Sequence, residues 1–241
     1  GGSADWHHMN AIDYNATHDL IALSSLGNNE IWIIDHSTNS EEAKGHTGGR
    51  YGKGGDLLYR WGNPFAYRLG TEADQKLFAQ HDVRWIEEGY PGEGDLMIFN
   101  NGRGRPDGNY SSVVQITPPF NPATGFHRED GKAWGPAEPT WQYAAPEKKE
   151  FYSFFISGAN RLPNGNTLIC AGAQGTFFEV TPEGKEVWRY LNAASPPEKE
   201  SEASDGERRR MGRAPSVLKN TVFRVTRYPL DYAAFEGRDL T

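Results

Sequence analysis

Two histidines and two arginines are the residues best suited to chemistry in this chain. His81 stands in "QHDVRW", at the head of an apolar run, and Arg103 and Arg105 fall in the glycine-rich turn "NNGRGR" that follows the next run. Glycines let backbone amides approach an anion, and a guanidinium offers a planar fork for two oxygens, so the turn suits a sulfate, a phosphate or a carboxylate. A surface hairpin whose arginines meet nearby acids would use the same residues. His8, in "DWHHMN", begins an equivalent run. An imidazole in a half-buried strand serves either as a proton-transfer group or as a side chain satisfied by the backbone.

Composition narrows what such a site could act on. The 241 residues carry 25 Lys plus Arg against 32 Asp plus Glu, a net charge of −7, with no basic tract to follow a phosphate backbone. Nucleic acid is therefore not an expected partner. No apolar run approaches the roughly 18 residues of a membrane-spanning helix, so membrane insertion is not expected. Cys170 is the single cysteine, which excludes an internal disulfide. His, Cys and carboxylates show no metal-ligand spacing, and no phosphate loop or dinucleotide fingerprint is present, so neither a metal nor an organic cofactor is expected.

The elements that must position these residues come as a repeat. A unit recurs about every 70 to 80 residues and holds four short runs rich in β-branched and aromatic residues. The first runs are "HHMNAIDYN", "QHDVRWIEEG" and "SGANRLPNG", with "FRVTRYP" as a fourth and fainter copy. The second are "DLIALSS", "GDLMIFNNG" and "GNTLICAGA"; the third "NEIWIID", "SSVVQIT" and "GTFFEVT"; the fourth "DLLYRWG", "PTWQYAA" and "KEVWRYL". Twelve strands in three sets of four, always in the same order, predict an all-β chain of four-stranded antiparallel blades, a β-propeller or the C-terminal part of one over residues 1–241. Loops inserted at 36–55, 118–138 and 191–217 interrupt the pattern, and the last reads as a solvated loop.

In a propeller the first strand of each blade lines the central channel. Aligning the repeats puts His81, Gly158 and Arg224 in one column, with His8 as the first-blade member. Three or four blades are few for a closed ring, so further blades before Gly1, or a second chain, are expected to complete it. In that arrangement Thr221 to Tyr228 would form an innermost strand.

The motifs "DWHHMNAIDYN", "LSSLGNNEIWIID", "QHDVRWI" and "LMIFNNGRGR" resemble the bacterial aryl-sulfate sulfotransferase family, and the resemblance runs over essentially the whole chain. It implies a six-bladed propeller in an exported protein, periplasmic or extracellular. It also implies transfer of a sulfuryl group from a phenolic sulfate to a phenol through a sulfohistidine, without PAPS. Carried over, the family's motif residues fall on His8, His81 and Arg105 as catalytic groups. Asn101, Arg103, Arg224 and Thr176 become candidates for contact with a small anionic or aromatic substrate. The family's nucleophilic histidine aligns with Thr176, and no histidine follows His127. A non-catalytic propeller that binds an anion, a polysaccharide or a protein partner on the same frame is the alternative.

Overall fold

The computed structural model describes residues 4–193 and 220–239. The first blade consists of β1 (Met9–Asn15), β2 (Leu20–Ser25), β3 (Glu30–Asp35) and β4 (Tyr59–Trp61), paired antiparallel in chain order. The second is β5 (His81–Trp85), β6 (Leu96–Asn100) and β7 (Ser112–Ile116). A small hairpin follows, β8 (Phe120–Asn121) with β9 (Gly125–Phe126), before β10 (Trp141–Tyr143) closes that blade against β7. The third is β11 (Gly158–Arg161), β12 (Thr167–Ala171), β13 (Thr176–Val180) and β14 (Glu186–Leu191). All twelve expected strands form, in three four-stranded antiparallel sheets with β1, β5 and β11 along one side. This is the blade pattern of a β-propeller, and among the described residues the blades do not close into a ring.

The core lies between blades, which explains why the second strands read as unbroken apolar runs. Successive side chains of a strand point to opposite faces. In β6, Leu96 and Ile98 therefore join Ile31, Ile33, Tyr59 and Trp61 of blade one, while Met97 and Phe99 join Ile169 and Phe178 of blade three. Each such side chain contributes about 1.5–3 kcal/mol when fully buried. Equivalent turns join the second and third strands of blades one and three: a single 3-10 turn ends in a left-handed residue, Asn29 at φ 55° and Gly175 at φ 61°. Asparagine and glycine are the residues that accept that conformation at least cost.

Four expected segments are described more closely by the structure. The 118–138 segment is not only a loop. Its β8–β9 hairpin lays Phe120 and Phe126 on the first core, with Phe126 stacked on Tyr59 at 5.3 Å. The 36–55 segment holds a 3-10 turn, Glu42–Lys44. Of 191–217, Leu191 ends β14, and residues 194–217 lie outside the described residues. Thr221 to Tyr228 forms no assigned strand and bends at Phe223. Its ties to blade three are scattered: Val222 N to Gly172 O at 3.0 Å, Ser157 N to Phe223 O at 3.2 Å, and Asn160 Nδ2 to Val225 O at 3.0 Å. Two of these are isolated backbone bonds and the third comes from a side chain, so they build no ladder.

Candidate functional site

The site is built where β5 starts. Ala79 and Asp82 both adopt left-handed backbone, at φ 54° and 55°, and the pairing with β6 shifts register between His81 and Arg84. One extra residue on β5 makes a bulge, and a bulge redirects side chains that a regular strand would alternate. His81 and Asp82 are consequently both buried. Just before them, Gln80 is wholly buried and donates from Nε2 to the carbonyls of Ser25 and Glu30, which fastens the strand head to blade one.

Asn101, immediately after β6, determines which nitrogen of His81 is available. Its Nδ2 donates to Ser153 O at 2.7 Å and Ile156 O at 3.0 Å, so the amide has one orientation and Oδ1 faces His81 Nδ1 at 2.8 Å. An amide oxygen only accepts, so Nδ1 carries the hydrogen and the lone pair of the neutral ring sits on Nε2. Burial holds the His81 pKa below its usual value. The Asn101 bond and the Ala79 backbone oppose that shift, while the nearby charges of His8 and Arg224 add to it. A neutral imidazole with a free Nε2 lone pair is the state of a proton acceptor or a nucleophile.

Asp82 organises the arginines. It is 1% exposed, and its Oδ1 meets Arg84 at 2.8 Å and Arg224 at 3.0 Å. Its Oδ2 accepts the Ala159 amide at 3.0 Å. Gly158 passes so close that a Cβ there would collide with Oδ2, which is why the column shows glycine at that position. Arg224 reaches further and donates to Asn10 O at 3.3 Å, while Asn10 donates to Gln80 O at 2.8 Å. His8 is exposed, paired with Asp5 at 2.5 Å, two residues from Asn10.

The remaining expected residues are placed elsewhere or in other roles. Asn101 has no exposed surface, and its amide is fully used in holding His81. Arg105 folds onto its own turn, where Nε donates to Tyr110 O at 3.2 Å and Nη2 to Ser112 Oγ at 2.7 Å. The Tyr110 and Phe78 rings flank it at 4.4 and 5.3 Å, and burial lowers its pKa. Arg103 is exposed. Thr176 bonds to Gln174 O at 3.4 Å and lines a separate cleft with Tyr143, Glu150, Lys185 and Arg189. Asp82, Asn10 and the Ser153 carbonyl were not expected at the site. An acid inside the apolar "QHDVRW" run was the one signal in the sequence that could have exposed Asp82.

Residues 1–207 match the arylsulfotransferase (ASST) family. The chain belongs to that family. This arylsulfotransferase family member is 26% identical over 200 residues to the arylsulfate sulfotransferase AssT of Lelliottia amnigena, covering 75% of this chain and 30% of that protein. It thus spans under a third of the curated relative's length. Solved structures overlap it loosely. A Bacteroides caccae protein of unknown function has TM-score 0.38 at 12% identity, over 76% of this chain and 45% of that one. The virginiamycin B lyase of Staphylococcus aureus has TM-score 0.39 at 10% identity, over 83% and 44%. Among the described residues no group of three or more His, Cys, Asp and Glu is placed to hold a metal ion, and no helix is long and apolar enough to cross a membrane.

Proposed function

We propose that this family member transfers a sulfuryl group from a phenolic sulfate ester to a phenol, without PAPS, in an exported setting, with His81 as the reacting imidazole. The observation that carries the reading is the fixed tautomer: Asn101 takes the Nδ1 hydrogen and leaves Nε2 as a buried lone pair. In the first step Nε2 attacks sulfur, the N–S bond forms as the S–O(aryl) bond breaks, and the phenolate leaves. The sulfated ring is positively charged, and its Nδ1–H bond to Asn101 strengthens as that charge develops. In the second step the acceptor's phenolic oxygen attacks sulfur, the electron pair returns to Nε2, and the phenolic proton passes to His8 or to water. Thr176, at the position where the family motif would put a nucleophilic histidine, lines another cleft, which leaves His8 and His81 for that role, and the fixed tautomer favours His81.

The test is the rate of nitrophenolate release from 4-nitrophenyl sulfate with a phenol acceptor. His81→Asn should lower it by about 10²–10⁴-fold, the range typical of losing a positioned proton-transfer or nucleophilic group. Acid-quench mass spectrometry should find a sulfo-adduct on His81 alone. Turnover unchanged in His81→Asn ends this reading. The displacement of Thr176 favours one alternative, an anion-binding propeller without turnover, which would show ligand binding and no adduct.

A further inference from the structure

We infer that Arg224, brought in by the C-terminal segment and positioned by Asp82, is the cation that holds the sulfuryl oxygens at His81, and that Phe223 beside it receives the aryl group. This assignment rests on the transfer reading for its substrate class, but its contacts stand independently.

Of the arginines near the head of β5, Arg105 is already committed to Tyr110 O and Ser112 Oγ within its own turn. Arg84 is committed to Asp82 and to Asn160 Oδ1. Arg224 also makes two contacts, but across the head of β5. It spans from Asp82 Oδ1 on the second blade to Asn10 O on the first, and its other N–H groups make no hydrogen bond among the described residues. Its side chain is 30% exposed, so an incoming anion can reach those donors.

Asp82 is shared between the two guanidinium groups, and Asp13 lies within electrostatic reach of Arg84 as a second carboxylate, so of the two arginines Arg224 has the less compensated charge. An aryl sulfate monoester carries one negative charge and three equivalent oxygens, which fits a single guanidinium with spare donors. The Arg224 guanidinium carbon lies over the Phe223 ring, 5.2 Å from its centroid, and the ring is 54% exposed, so accessible aromatic surface adjoins the cation. The pair therefore presents charge and ring in the order that an aryl sulfate carries them.

Isothermal titration with inorganic sulfate and with 4-nitrophenyl sulfate tests the assignment without requiring turnover. Arg224→Gln should weaken both ligands by roughly tenfold or more, the scale of losing charge-assisted hydrogen bonds. Arg105→Gln should leave both within about twofold, since the Arg105 contacts lie within its own turn and not at Asp82. Phe223→Ala should weaken the aryl ester and spare inorganic sulfate. Circular dichroism and the thermal midpoint monitor folding. If Arg224→Gln proves unfolded, Arg224→Lys takes its place, because lysine keeps the charge but cannot serve Asp82 and an oxyanion through one fork; a measurable loss of affinity is again expected. Binding that survives loss of the Arg224 fork, or that is lost in Arg105→Gln, overturns the inference and leaves the transfer reading to its own test. Binding that depends on Arg224 in a protein without turnover upholds the inference and removes the transfer reading. Absence of binding in the wild-type protein removes the inference.

Discussion

His81 makes stability depend on pH in a direction that can be worked out. Its pKa is lowered in the folded state, chiefly by burial, whereas the unfolded imidazole titrates near about 6.5. Between those two values the unfolded chain binds more protons, so the His81 contribution to stability rises with pH and is lost as pH falls below about 6.5. Urea midpoints measured from neutral to mildly acidic pH should fall for the wild type and stay flatter for His81→Asn. Asn101 is the matching test of the tautomer. In Asn101→Ala the buried imidazole Nδ1–H loses its acceptor, at about 1–3 kcal/mol for a group left unpaired, while the Ser153 carbonyl keeps its bond from Ser111 Oγ. Nitrogen-15 spectra should then show His81 no longer confined to the Nδ1–H form.

Among the elements, β11 packs under a tight constraint because Gly158 abuts the Asp82 carboxylate. Gly158→Ala should destabilise the fold by about 1–3 kcal/mol, the usual cost of overpacking. Thermal unfolding measures that cost, and nitrophenolate release should fall with it as Asp82 is displaced. The strands themselves were legible in the sequence, since β6 needs apolar residues on both faces and shows them as "LMIF". The β8–β9 hairpin was not, because two-residue strands inside "PPFNPATGFHRED" leave too short a pattern to alternate. At the site, repeat alignment put His81, Gly158 and Arg224 in one column, and contacts through Asp82 link all three positions. Where Arg105 points was beyond the sequence. Its direction depends on Gly102 at φ 77° drawing the turn onto the Tyr110 carbonyl, a contact across residues with no periodic signature.

At the scale of the whole molecule, both ends of the row of blades present uncovered apolar faces. Ile12 and Tyr14 are 66% and 50% exposed on the first, and Trp188 and Tyr190 are 47% and 48% exposed on the third, their rings stacked 6.3 Å apart. Contiguous apolar surface of this kind drives association. The 1–241 chain should sediment as larger species with rising concentration, and Trp188→Lys should shift that dependence to higher concentration; a wild type that stays monomeric throughout removes this expectation. The bond from Arg224 to Asn10 carries a further consequence, for folding order. It joins residues 214 positions apart, whereas the pairings within each blade are local. Closing so long a loop is entropically late, so the blades can assemble first and the arginine arrives last. During synthesis, the histidine would be in place well before its anion-holding partner leaves the ribosome, and clipping the C-terminal segment would silence the site while the blades remain folded.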